Sequence, residues 1–187
     1  MKKQLDNSSI WNEAALSGLL FGAVSIGCLM GKEAAAMSGN AFLTQLGAIV
    51  LWAVEFFGCI LLMKKRMILL RDKYQNVRID DSYRFGRRAA LLSGLLVASA
   101  NALIVLQMPA ETMDTMVGTL ASQMKLTSDD MDKVSGLMDK LPLWTFIFQW
   151  VYCFLYGTVL SSIMARYVFI KRLFDGPPED PTSPDEQ

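Results

Sequence analysis

One carboxylate, Glu55, interrupts an otherwise apolar block of this 187-residue chain. A charged side chain inside hydrocarbon costs at least about 2.5–3.5 kcal/mol to insert, so such residues usually face a bundle interior or a water-filled cavity. Glu55 therefore indicates either a proton or cation relay or a hydrogen-bonded group that fixes how helices pack. A lipid-facing side chain that snorkels is a third alternative. By depth, we expect its partners to be Ser25 and either Tyr156 or Thr158.

Two amides, Asn101 and Gln149, lie within two further apolar blocks at comparable depth. A hydrogen bond between them would join two helices and contribute about 0.6–2 kcal/mol. With Glu55 they form the predicted set of intramembrane polar residues. They indicate a transport pathway only if all three line water.

The sequence offers few other residues that could catalyse a reaction or bind a metal. The chain has no histidine, which removes the commonest general base and metal ligand. No HExxH, CxxC, GxSxG or Walker motif is present, so we predict no catalytic residue, no cofactor and no enzymatic activity. Met113 and Met116 would suit Cu(I), but apolar packing explains the same spacing and we predict no metal site. The three cysteines, which all lie in apolar blocks, are expected to be packing residues.

Apolar residues make up 52% of the chain and cluster in four blocks, which predicts a polytopic membrane protein. The predicted spans are 14–30, 41–63, 89–108 and 143–165. The second can cross a hydrocarbon core of about 30 Å at a rise of about 1.5 Å per residue. A cleaved signal peptide is an alternative for the first, although its length and the following Lys32-Glu33 argue against cleavage.

Charge along the chain predicts the topology. Segment 64–88 holds nine basic residues against three acids, which is typical of a cytoplasmic connector. Its first half should extend the second helix, and Asp81 or Ser82 should be the N-cap of the third. Residues 31–40 are a predicted polar turn. The acidic segment 109–142 is a predicted extracytoplasmic amphipathic helical hairpin.

Small residues recur at four-residue spacing on three spans, which lets helix backbones approach closely in lipid. This pattern favours packing within the chain's own bundle, with a homodimer face as the alternative. The predicted helix-packing residues are Gly18, Gly22, Gly94, Ala98, Gly157 and Ser161.

The sequence Phe85-Gly86-Arg87-Arg88-Ala89 resembles the FG-containing helix entry of uncharacterised bacterial membrane proteins, catalogued as domain of unknown function 4199. The four-span plan and the Met- and acid-rich segment before the fourth span also match, over roughly residues 10–172. The arginine pair departs from that family's more usual residues. The resemblance implies the inner membrane of a Gram-negative bacterium and no known activity.

We therefore predict an all-α polytopic membrane protein: a four-transmembrane-helix bundle at 14–174 with an outer amphipathic hairpin. The segment 1–13 and the disordered tail 175–187 would both be cytoplasmic. Because net charge is zero, nucleic acid is not an expected partner. The predicted function is a non-enzymatic membrane scaffold or accessory subunit that packs against the lipid bilayer, another copy or another membrane protein. The alternative is a small transporter or channel-like protein that uses Glu55, Asn101 and Gln149.

Overall fold

The computed structural model describes residues 3–37, 39–75, 77–109, 111–113, 115, 118–119 and 140–174. Most of the predicted outer hairpin and all of the tail at 175–187 lie outside these residues, so both stay predictions.

Four long helices form the bundle: α1 (Asn7–Met37), α2 (Ala41–Lys73), α3 (Ile79–Leu106) and α4 (Leu141–Phe174). Each contains a stretch long and apolar enough to cross a membrane. The predicted all-α fold with four membrane-spanning helices is thereby confirmed. The chain is a multi-pass membrane protein.

The helices run further than the apolar blocks from which they were predicted. α2 continues through the basic residues to Lys73, as expected. α1 continues to Met37, so most of the predicted turn at 31–40 is helical. The reversal occurs at Gly39, whose φ of +68° is a conformation that L side chains rarely adopt. The Asn40 side chain then accepts from the Phe42 amide at 3.0 Å and caps α2.

The start of α3 differs from the prediction of an N-cap at Asp81 or Ser82. The helix begins at Ile79 after the N-cap residue Arg78. Asp81 still satisfies an amide at this end, because its carboxylate accepts from the Arg78 backbone N–H at 3.1 Å. It does so from within the first turn. Ser82 is 1% exposed, packed inside the bundle.

The core is concentrated at one end of the bundle, where α1 and α3 begin and α2 and α4 end. We call this the basic end, because it carries the 64–88 segment, and its opposite the far end. Large apolar side chains are buried together here: Ile10, Met63, Met67, Leu70, Phe85 and Leu160. α3 packs along both α1 and α4, whereas α2 packs mainly along α1. The α2–α4 side of the bundle is therefore the loosest.

The N-terminal segment is held against the basic end. Strand β1 (Lys3–Gln4) pairs in parallel with β2 (Tyr74–Gln75), which directly follows α2. Glu13 accepts hydrogen bonds from Lys73 and from the Tyr74 hydroxyl. A two-residue strand has no periodic pattern, so nothing in the sequence predicted this pairing.

Lys73 lies beyond the apolar part of α2. Its contact with Glu13 raises the pKa of Lys73 above the ordinary value of 10.5. The hydrogen bond is the larger cause and charge attraction the second. The contact therefore stabilises the fold at pH values below the ordinary pKa of lysine. This stabilisation is lost as the pH rises through the higher pKa of Lys73 in the folded state. We expect NMR titration of the lysine side chains to show the raised pKa. Glu13→Gln should return it towards the ordinary value. An unchanged pKa in that variant would contradict the assignment.

Candidate functional site

A cavity of about 370 Å³ lies between the four helices. Its volume falls within the range of about 300–1,000 Å³ typical of small-molecule sites. Glu55 of α2, Asn101 of α3 and Gln149 of α4 all line it. The structure thus brings the three predicted intramembrane polar residues to one place.

A fourth polar residue, Lys32 of α1, joins them. Its Nζ lies 3.0 Å from Glu55 Oε2, and the two side chains are 30% and 29% exposed. Both line the cavity, so each helix contributes one of these four polar residues. This ion pair replaces the partners expected for Glu55. Ser25 and Tyr156 do line the cavity, but Thr158 is not among its lining residues.

Sequence reasoning missed Lys32 because the predicted turn began one residue before it. The available signal was Gly39-Asn40, which marks the reversal and allows α1 to continue up to it. With the reversal at Gly39, α1 and α2 run antiparallel from that point. A lysine inside the end of α1 can then extend along α2 and meet Glu55.

The amides do not form the predicted bond with each other within the described part of the chain. Gln149 Nε2 instead donates to Cys153 Sγ one turn along α4, at 3.3 Å. Asn101 lines the cavity from α3, about 8 Å before the end of that helix. The Asn101 side chain, which can both donate and accept, therefore lines the cavity without a hydrogen bond to Gln149.

The cavity is elongated along the bundle axis. Its lining residues run over similar stretches of the four helices: Phe21–Lys32, Trp52–Met63, Ala90–Asn101 and Gln149–Leu160. Each stretch covers about eleven helical steps, or about 16 Å. The cavity thus occupies about half of a hydrocarbon core of about 30 Å.

Its lining changes character along that length. Lys32, Asn101 and Gln149 lie at the end nearer the turn between α1 and α2, and Glu55 lies deeper. The opposite end is closed by side chains that are almost fully buried, among them Phe21, Met63 and Leu160. The cavity therefore has a polar part towards the far end of the bundle and an apolar base towards the basic end.

Aromatic rings form the wall between α2 and α4. Phe56 and Tyr156 meet across the two helices with ring centroids 6.0 Å apart. Trp52 stacks on Phe56 at 5.5 Å, and Tyr152 stacks on Tyr156 at 6.4 Å. All four rings line the cavity on its α2–α4 side.

The predicted helix-packing residues on α1 lie against α3. A Cβ added to Gly18 would come within 2.9 Å of Leu92 Cβ, and one added to Gly22 within 3.0 Å of Leu96 Cδ1. Ala98 of α3 is fully buried. The face that the sequence offered as an alternative dimer surface is thus covered by the chain's own third helix at Gly18 and Gly22.

The remaining predicted packing residues join α3 to α4. A Cβ on Gly157 would lie 2.4 Å from Ala90 Cβ, and one on Gly94 would lie 3.1 Å from Cys153 Cβ. Ser161 is fully buried and donates to the Tyr83 carbonyl at 3.2 Å. The Gly157 contact leaves no room for a larger side chain, and at Gly94 the neighbour would have to move by a few tenths of an ångström. They hold one wall of the cavity in place.

In the described part of the chain, no group of three or more cysteine, aspartate or glutamate side chains could hold a metal ion. The Cu(I) alternative cannot be placed in the structure, because Met116 lies outside the described residues.

No family model, curated protein or solved structure matches the chain. The resemblance to the domain of unknown function 4199 therefore stays a prediction.

Proposed function

We propose that the protein is a small membrane transport protein that binds its solute in the bundle cavity. The supporting observation is the convergence of Lys32, Glu55, Asn101 and Gln149, one from each helix, on a single space of ligand size. Polar groups that converge in an otherwise apolar cavity are the usual arrangement of a small-molecule site.

The hydrogen-bonding capacity of the ion pair supports this proposal. A lysine ammonium has three donors, and a carboxylate has about four acceptor positions. The contact between Lys32 Nζ and Glu55 Oε2 uses one of each. Within hydrocarbon the remaining capacity is costly unless water or a solute satisfies it. An ion pair that lines a cavity and is about 30% exposed suits solute binding better than a sealed structural contact.

The sequence alone favoured a scaffold or accessory subunit acting through helix packing. Its small-residue positions are engaged within the bundle, at Gly18 and Gly22 against α3 and at Gly94 and Gly157 on the α3–α4 contact. A scaffold would therefore need other surfaces for its partner. That interpretation stays a prediction, with less support than the transport proposal.

The orientation that we propose follows from charge. The basic end, with segment 64–88 and both chain termini, would face the cytoplasm of a bacterial cell. The polar part of the cavity would then lie towards the outer face of the inner membrane. The resemblance stated above supports the same membrane.

Native cysteines allow a direct test. Cys153 lines the cavity close to Gln149, whereas Cys28 is buried at 6% exposure and is not a lining residue. Variants that retain only Cys153 or only Cys28, with the other two cysteines replaced in each, would be reconstituted in proteoliposomes. We expect a charged, membrane-impermeant methanethiosulfonate to modify Cys153 about tenfold faster than Cys28, because thiol reactivity follows access.

A transport protein must expose its cavity to each side in turn. The reagent should therefore modify Cys153 when added to either face. Modification from one face only would contradict transport, and modification from neither would contradict a hydrated cavity. Equal labelling of both cysteines after unfolding in detergent is the control for intrinsic reactivity.

A further inference from the structure

We infer that the solute is an amphiphile without net charge that enters the cavity sideways from the bilayer, between α2 and α4. This inference rests on the proposed function and names its solute class and its route. Three observations carry it: the charge balance of the lining, the change from polar to apolar along the cavity, and the exposed aromatic wall.

The charge balance limits the polar group of the solute. Lys32 and Glu55 are the only charged residues that line the cavity within the described chain, and their charges cancel. Asn101 and Gln149 add neutral amides that both donate and accept. A solute with a net charge would leave that charge unmatched at low dielectric, which is unfavourable. A hydroxyl-rich, amide or zwitterionic group would be matched.

The apolar base indicates the rest of the solute. From Glu55 to Met63 the cavity descends about 12 Å along α2. Met63 is 2% exposed and Leu160 is 8% exposed, so this end is closed by packed apolar side chains. A wholly polar solute would find no hydrogen-bond partner in the Phe21, Met63 and Leu160 side chains that close this end. An apolar chain attached to the polar group fits both ends.

The aromatic wall provides the route. Trp52 and Tyr152 line the cavity, yet 58% and 64% of their surfaces are exposed. The cavity wall therefore reaches the outer surface of the bundle at these two rings. Trp52 lies about 18 Å along α2 from Lys64, and Tyr152 lies about 12 Å along α4 from Trp144, so both are within the hydrocarbon depth. A molecule dissolved in the bilayer meets this wall directly.

The wall between α2 and α4 is also the easiest to open. α2 is supported mainly by α1 and makes few contacts with α4. Phe56 and Tyr156 are the rings that meet across the gap. Rotation of such side chains, without movement of the tightly packed α3–α4 pair, would admit a chain-like molecule.

The test uses three photoactivatable probes of matched chain length, each with a diazirine on the chain: a monoacylglycerol, a fatty acid and a long-chain amine. Each would be added to proteoliposomes that contain the full chain, and the labelled peptides would be identified by mass spectrometry. We expect the monoacylglycerol to label cavity-lining residues about tenfold more than either charged probe, which corresponds to about 1.4 kcal/mol of preference. Equal labelling by all three would overturn the inference.

A matched pair of serine variants tests whether the labelled place is the cavity. Ser25→Phe would fill it, because Ser25 is a lining residue, whereas Ser99→Phe adds the same ring to the exposed surface of α3. Labelling by the monoacylglycerol should fall in the first variant and persist in the second. An excess of unlabelled monoacylglycerol should lower labelling of the unmodified chain, which requires no variant to fold. Labelling that resists both treatments would overturn the inference.

The two proposals fail in different ways. If Cys153 reacts from both faces but no amphiphile labels the cavity, the solute class is wrong and the transport proposal stands. If Cys153 is inert while the monoacylglycerol labels the cavity, the site binds amphiphiles without the hydrated transport pathway.

Discussion

Lys32→Met should lower the free energy of unfolding by about 2–3 kcal/mol, because it leaves Glu55 as an unpaired charge at membrane depth. Breaking a fully buried ion pair costs about 3–5 kcal/mol. The smaller value is expected here because both side chains keep about 30% of their exposure. Unfolding in lipid bicelles, measured by steric trapping, would give the difference directly.

The double variant Lys32→Met with Glu55→Leu is the informative companion. It removes both charges, so much of the lost stability should return, while binding in the cavity should not. Lys65→Met is the matched control, because Lys65 is exposed on the same helix as Glu55. It should change stability by less than about 0.5 kcal/mol. A double variant as unstable as the sum of its single changes would show that the two side chains do not interact.

Gly86→Ala should have an effect of similar size, about 2–3 kcal/mol of lost stability. The added Cβ would lie 2.3 Å from Ser161 Oγ and 2.6 Å from Ser161 Cβ. Met67 Cε, at 3.0 Å, can move aside because its side chain is flexible, but Ser161 is short and fixed by the α4 backbone. α3 and α4 would have to separate at the buried core.

Gly58→Ala makes the same chemical change where nothing lies within 4 Å of the new Cβ. It should be neutral or stabilise the helix by up to about 1 kcal/mol, because alanine favours helix more than glycine does. Ser161→Gly combined with Gly86→Ala should recover part of the loss. Thermal unfolding in detergent compares all three variants. Equal destabilisation by both alanine changes would point to glycine flexibility rather than close contact.

The membrane helices could be predicted because each depends on a local property, a long apolar block. Not all of their ends could be predicted, because polar residues continue a helix wherever another element supports them. α2 extends to Lys73 beside the N-terminal segment, and α1 extends past Lys32 to Met37, shortly before the reversal at Gly39. The first of these extensions was expected from the sequence and the second was not.

Part of the candidate site could be predicted from the sequence. Glu55, Asn101 and Gln149 could be identified because a polar residue in an apolar block is rare and costly. Lys32 was not predicted because it lies beyond the edge of its apolar block, and its role depends on where the chain turns. The cavity itself depends on how Phe21, Met63 and other side chains pack across helices, which no local pattern encodes.

The pairing of β1 with β2 has a consequence for biosynthesis. Lys3 leaves the ribosome long before its partner Tyr74, and two long hydrophobic helices must be made between them. At about 5–20 residues per second the nascent N-terminus waits about 4–14 s for that partner. The pairing can close only after α1 and α2 have been made and their hairpin has delivered residues 74–75 to the same side. The β1–β2 contact between the two ends of the α1–α2 hairpin can therefore form only in a molecule whose first hairpin has inserted correctly.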